Sequence, residues 1–423
     1  MKSIALKAIF TDHRTQIENL LSLIVIQVLN TLIPFFLFPY LVKTLGQVQY
    51  GQAAFVVSLI NFLQIIVDFG FNYTGTRLVA LSKTTEERSE IFYGIFIIKL
   101  VLYLICIAIL ALTALFIAKV KAMFGLFLIA SALLLGNVVF PVWFFQGMEK
   151  MKIISAVNFF IRIASLILII VFVKSPQHTE RYIIINSFSN LLPGLFCFFY
   201  CSYLFKLVFK VPSVNKIRMI FHDGKDLFLS NLIIGGYSSI RIFVVGLFTT
   251  SELLGVYSIL ERIYFIIQTF PLVSFLQATY PKLVKNINTN RARVINFMRK
   301  ATYYFLLYFI VAVTVFIVVQ KWILNNLLNV KLPQNHLLLS VVLGVTLILV
   351  NYNAFKLEFL LISGNDKLYR IIHFFTGIVG AVSLLLFTYQ WGIIGCACSV
   401  LLTQISIVIY TVYTYKKKLG FVL

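Results

Sequence analysis

The chain has 423 residues, 61% of them hydrophobic and only 12% charged, and its mean hydropathy is +0.97. Soluble domains use roughly 45–50% apolar and about 25% charged residues, so a water-soluble globular protein is excluded. The net charge of +22 would suit a nucleic-acid binder, but the basic residues sit in short loops between apolar runs. There they act as topology signals and meet anionic membrane lipids, so no nucleic-acid partner is expected.

Apolar runs of about 20 residues, enough for a ~30 Å hydrocarbon slab, recur at 17–42, 51–79, 91–117, 123–146, 153–173 and 182–205. Six more follow at 226–248, 252–280, 300–320, 337–362, 371–388 and 393–415. Backbone groups in lipid need internal partners, so runs of this length are expected to be helices. The sequence therefore predicts an all-α polytopic membrane protein with 12 transmembrane helices. The first run follows a basic start without a small-residue cleavage site, so removal as a signal peptide is not expected. Twelve crossings put both termini on one side. Of the loop lysines and arginines, 24 lie on that side and seven opposite, which predicts cytoplasmic termini.

Two segments echo each other. "VWFFQGMEKMK" (142–152) and "LLISGNDKLYR" (360–370) both end an apolar run in Gly, any residue, an acid and Lys, at an offset of 217. Likewise "YGQAAFVVSLINFLQ" and "LGVYSILERIYFIIQ" place Gly51 with Gly255 and Gln64 with Gln268, at an offset of 204. The chain reads as two six-helix repeats, 1–205 and 226–423, joined by a basic cytoplasmic linker at 206–225. An even number of helices per repeat makes the lobes parallel, with their axis along the membrane normal. In the first echo Gly147 is expected to permit a left-handed turn, while Lys150 and Lys152 hold the end on the cytoplasmic side. A structural anchor is favoured there over a gate or substrate contact.

Polar residues in a hydrocarbon slab are expected to face a bundle interior or a wet cavity. Helical spacing groups Gln27 with Asn30, and Asn61 with Gln64 and Asp68; it also groups Asn231 with Arg241, and Tyr257 with Glu261, Tyr264 and Gln268. Asp68, Lys356 and Glu358 lie near cytoplasmic ends, within reach of water by snorkelling. Arg162, Arg241, Glu261 and Arg262 lie mid-slab and Lys99 only slightly shallower, where a charge costs ~2.5–3.5 kcal/mol on insertion scales. Glu261 bridging Arg241 or Arg162 as a packing element is one reading. The favoured one is a cationic pocket of Arg162, Arg241, Arg262 and Lys99, whose guanidinium groups would grip phosphate oxygens.

"LFPYLVKTLGQVQYG" (37–51), "DFGFNYTGTRLVA" (68–80), "WFFQGMEKMK" (143–152), "LGVYSILERI" (254–263) and "YPKL" (280–283) together resemble the polysaccharide-repeat flippases of bacterial O-antigen and capsule pathways, the Wzx type. These belong to the multidrug, oligosaccharidyl-lipid and polysaccharide exporter superfamily. The resemblance implies two lobes in a V around a central cavity lined by helices one, two, seven and eight. It also implies transport of an undecaprenyl-pyrophosphate-linked glycan from the cytoplasmic to the periplasmic leaflet of the bacterial inner membrane by alternating access. A polysaccharide polymerase and a chain-length regulator would be partners. The cationic lumen of the family would fall to Arg162, Arg241 and Arg262. Asp68 and Arg77 sit in the matching motif as gate or fold residues. No cofactor is implied, and proton or sodium coupling would run through Glu261 or Asp68.

Three rivals remain in view. A drug or organic-cation antiporter of the same fold would need a surplus of mid-slab acids, and the balance here is basic. A membrane polymerase or ligase needs a polar site outside the slab, yet those loops are short and no nucleophile, base and orienter converge; a non-enzyme is expected. A peptidoglycan-precursor flippase is chemically close to the preferred reading. The five cysteines all fall in apolar runs and are expected to be small buried residues.

Overall fold

The protein is described by a computed structural model that covers the backbone of residues 2–287 and 289–419, with side chains from Ile33 onward apart from a few positions. The helices are α1 (Lys2–Asp68), α2 (Phe71–Leu81), α3 (Thr85–Phe116), α4 (Ala118–Ala122), α5 (Phe124–Ala130), α6 (Ala132–Val139), α7 (Val142–Gly147) and α8 (Met151–Phe172). They continue as α9 (Thr179–Leu204), α10 (Val214–Phe248), α11 (Ser251–Gln268), α12 (Ser274–Ile287), α13 (Arg291–Trp322), α14 (His336–Ile362) and α15 (Asp366–Thr414). No strand occurs among the described residues. Helix starts follow local chemistry: Thr84 accepts from Glu87 N, Thr250 from Leu253 N and Asn290 from Arg293 N, each satisfying a first-turn donor.

Among the described residues, eight helical stretches are long and apolar enough to cross a membrane, and α10 brings the number to nine. The chain is thus a multi-pass membrane protein. Its spans are less regular than the periodicity predicts. The run at 123–146 is cut into α5, α6 and α7, because Ser131 and the extended Phe140 before Pro141 interrupt the ladder; proline offers no N–H and pushes its predecessor out of helical space. The run at 252–280 is broken by a π-turn over Thr269–Val273 that contains Pro271. Its charges and polar residues keep it out of the apolar set. Conversely, α1 and α15 are each two helices that meet at a kink on a single non-helical glycine, Gly46 (φ 73°) and Gly392 (φ 56°).

The chain divides into two compact units. One comprises Met1–Leu45 with Val56–Leu232, the other Gly46–Phe55 with Ile233–Leu423. Residues 206–232 therefore fold with the first unit. Phe69 stacks between Phe221 and Phe228 at 4.5 and 4.6 Å. The Phe69–Gly70 break between α1 and α2, with φ of 47° and 80°, thereby receives the start of α10. A Cβ on Gly70 would lie 2.9 Å from that of Leu227.

The two quoted helix ends share a cap, in a register that differs from the sequence echo. In the first unit Lys150 N bonds Phe145 O and Glu149 N bonds Gln146 O; in the second Asn365 N bonds Leu360 O and Gly364 N bonds Leu361 O. Both are Schellman caps. The left-handed residues are Glu149 (φ 55°) and Gly364 (φ 71°), so the caps correspond at 149 and 364 and the acid-Lys match is a near coincidence. Gly147 does not make the turn as expected. It is where α7 touches α2, since a Cβ there would lie 2.8 Å from Thr76 O.

Candidate functional site

Among the described residues, each unit brings a cation and a carboxylate together at a largely buried position. In the first, the Phe69–Gly70 break leaves Asp68 as the last residue of α1. Asn72, one turn on, donates to both Asp68 carboxylate oxygens at 2.9 Å. Lys99 of α3 is only 2% exposed and points its ammonium 3.8 Å from Asp68 Oδ1. The same ammonium donates to Asn137 O at 2.9 Å and Asn137 Oδ1 at 2.8 Å. That carbonyl lies near the end of α6, just before the Phe140–Pro141 interruption. A lysine at this depth is tolerable only because three oxygens surround it.

This arrangement makes a checkable prediction. Lys99→Met leaves the Asn137 oxygens and Asp68 without their cation, and removing one partner of such a cluster costs about 3 kcal/mol. Thermal unfolding of the purified variant is expected to show that loss, and Asp68→Asn added to Lys99→Met is expected to restore part of it. An unshifted single variant would show that the cluster carries no stability.

Arg162 of α8 lies in the same unit, half-buried, and its Nε finds no hydrogen-bond partner among the described residues. Asn158, one turn before it, spends its amide on Ile154 O. Arg77 is largely exposed and donates to Asp223 of α10 at 3.3 Å. Close by in chain order, Lys210 Nζ reaches Glu86 at 2.8 Å, a bond that holds the Lys210 ammonium above the ordinary lysine range. Asn61 is exposed and Gln64 half-buried. The side chains of Gln27 and Asn30 lie outside the described residues.

In the second unit Arg241 Nη2 stands 3.0 Å from Glu261 Oε1, each side chain keeping about a fifth of its surface exposed. The guanidinium also donates through Nε to Ser238 O at 3.3 Å and lies 5.9 Å over the Tyr237 ring. Arg262, the next residue after Glu261, turns instead to the Phe265 ring at 5.5 Å. Tyr257 and Tyr264 are buried: Tyr257 accepts from Cys396 Sγ at 3.2 Å, and Tyr264 donates to Ser340 O at 2.7 Å. Asn231, grouped by the first unit, and Gln268 of the second are half-buried.

The structure thus joins Lys99 to Asp68 and Arg241 to Glu261. It leaves Arg162 and Arg262 without a carboxylate partner among the described residues. Sequence reasoning missed Asn72, Asn137 and Asp223. Asn72 carried a signal, being four residues beyond Asp68; Asn137 and Asp223 are distant in sequence and had none. Lys356 is a correction: it does not snorkel, but is buried at 1% exposure with its ammonium 3.3 Å from the Tyr352 ring centre. Tyr415 donates to Lys356 O, so α14 is covered where water was expected.

In fold, this is a multi-helix membrane scaffold. The chain matches the solved structure of the lipid II flippase MurJ in its inward closed conformation with a TM-score of 0.69 at 14% identity, covering 95% of this chain and 87% of that one. Residues 17–287 match the family model described as polysaccharide biosynthesis protein, and the chain belongs to that family. Among its relatives, the "Putative O-antigen transporter" of Escherichia coli (strain K12) is 26% identical over 285 residues, 67% of this chain and 68% of that protein. The "Putative O-antigen transporter" of Shigella dysenteriae is 22% identical over 411 residues, 94% of this chain and all of its counterpart.

Proposed function

We propose that this protein flips an undecaprenyl-pyrophosphate-linked oligosaccharide repeat, of the O-antigen or capsule kind, from the cytoplasmic to the outer leaflet of a bacterial inner membrane. It acts as a transporter and not as an enzyme. The observation that carries the reading is Arg162, a guanidinium inside a membrane-spanning helix whose buried Nε has no partner among the described residues. An unpaired cation at that depth is costly, and a diphosphate is the ligand that would relieve it with bidentate geometry. The named transporter relatives supply the glycan class. The basic balance, with Arg262 also without a carboxylate partner among the described residues, disfavours the drug-cation antiporter.

In this reading both termini are cytoplasmic, which the distribution of lysine and arginine supports. Dividing the two longest spans at Gly46 and Gly392 and adding Ser251–Ile287 raises nine crossings to twelve. The glycan and diphosphate are held by cationic side chains while the polyprenyl tail stays in lipid, and access alternates from one leaflet to the other. Coupling to a proton or sodium gradient runs through Glu261 or Asp68, each of which faces a cation of its own unit, Arg241 and Lys99. With Glu261 in that role, Glu261→Gln is expected to bind the lipid-linked repeat but lose gradient-dependent transport in vesicles; a variant that keeps full gradient dependence removes Glu261 from it. The reading as a whole is tested in a strain lacking the gene. The lipid-linked repeat is expected to accumulate in the inner leaflet and surface polysaccharide to disappear. A repeat that still reaches the outer leaflet unpolymerised would make the protein an enzyme of assembly.

A further inference from the structure

The segment from Lys321 to His336 in the second unit folds back on itself and encloses an open pocket of about 520 Å³, within the range of small-molecule sites. Its polar lining is Lys321, Asn325, Asn329, Lys331, Gln334 and His336, and it contains no carboxylate. Its remaining walls are Val330, Leu332 and Pro333. The geometry points to a binding site for an acidic sugar residue, a carboxylate carried on a polyhydroxylated ring.

Three observations carry this. The loop is built and held in place: Leu328 N bonds Ile323 O, Val330 N bonds Leu324 O at 2.7 Å, and Asn329 adopts a left-handed φ of 56°. Lys331 N donates to Gln47 Oε1 at 2.7 Å, and Gln47 in turn donates to Glu252 at 3.0 Å, so one wall is tied to the Gly46–Phe55 stretch of α1. The charge is also out of place for topology alone. Only seven loop lysines and arginines fall on the side opposite the termini, where the positive-inside rule disfavours them, and two of the seven line this pocket. Neither ammonium has a carboxylate partner among the described residues.

The side chains fit the two faces of a pyranose. The amides of Asn325, Asn329 and Gln334 each offer both donors and an acceptor to hydroxyl groups. His336 Nδ1 is engaged with Pro333 O at 2.8 Å, which leaves Nε2 to accept from another hydroxyl. Valine, leucine and proline suit the C–H face, and the two lysines suit the carboxylate. The inference deepens the flippase reading, from which it takes the glycan and the outer-leaflet side of the pocket; the site itself stands on the loop geometry. It would receive the glycan as it leaves.

The test is saturation-transfer NMR on the full chain in nanodiscs, with glucuronate, glucose and inorganic phosphate as probes. Glucuronate is expected to give a signal that falls at least fivefold in Lys321→Gln/Lys331→Gln, with an unchanged melting temperature, and glucose a signal at least threefold weaker. A tenfold excess of inorganic phosphate is expected to leave the glucuronate signal in place. No glucuronate signal, or one that survives both substitutions, overturns the site. Displacement by phosphate also overturns the assignment, because the pocket would then read charge alone and suit the carrier diphosphate. Transport is not part of the measurement, so its outcome is independent of the flippase test.

Discussion

Arg241→Ala is expected to abolish surface polysaccharide and to cost about 3 kcal/mol of stability. Arg241 and Glu261 are 3.0 Å apart in the second unit with little of either side chain exposed. Removing one partner leaves the other as an uncompensated charge, a penalty of about 3–5 kcal/mol when burial is complete; the residual exposure puts this pair at the low end. A single variant would confuse unfolding with lost function. Arg241→Met with Glu261→Met removes both charges and keeps apolar volume, a change that is often neutral. The double variant is expected to recover its melting temperature and membrane abundance and still to fail to move the lipid-linked repeat. If it transports normally, the pair is a packing bridge and the anionic ligand is held elsewhere.

Gly255→Val is expected to prevent accumulation of folded protein. Gly51 and Gly255 face each other where α1 and α11 cross within the second unit: a Cβ on Gly51 would lie 2.7 Å from Gly255 N. A Cβ on Gly255 would collide with Gln47 O, a backbone atom that cannot swing aside. Gln47 also holds Glu252 and Lys331 N, so a displaced α1 loosens both contacts at once. Overpacking of this kind costs about 1–3 kcal/mol for small insertions. Gly255→Ala is expected in that range and the branched valine above it. Gly125→Ala is the control, since nothing lies within 4 Å of its Cβ position, and it is expected to be neutral or slightly stabilising. A monodisperse, normally melting Gly255→Val protein would show that the crossing tolerates separation.

These two residues show how unevenly the sequence spoke. Gly255 entered the reading as the partner of Gly51 in a repeat, a correspondence along the chain, whereas the structure makes them neighbours in space. Helical spacing grouped Arg241 with its own stripe and Glu261 with another, and left open whether the charges pair or stand free. The Gly-x-acid-Lys echo was visible as letters, but the shared feature is a hydrogen-bonded cap, and its register is set by Glu149 and Gly364. Lys356 misled because depth was counted along one helix, while its burial comes from α15 packing beside it.

What the sequence determined alone is the solvent: long apolar runs, the scarcity of charge and the basic loops dictate helices in a bilayer, because lipid offers no partner to an open backbone. It also marked which polar residues needed explaining, since each intramembrane charge stands out against that background. Tertiary structure decided which charges neutralise each other and which stay unpaired. Lys99 met Asn137 and Asp68, and Arg241 met Glu261, across different helices, while Arg162 met no such partner among the described residues. Coulomb and hydrogen-bond energies act over a few ångströms of space, a distance that spacing along one helix reports only for neighbours one turn away.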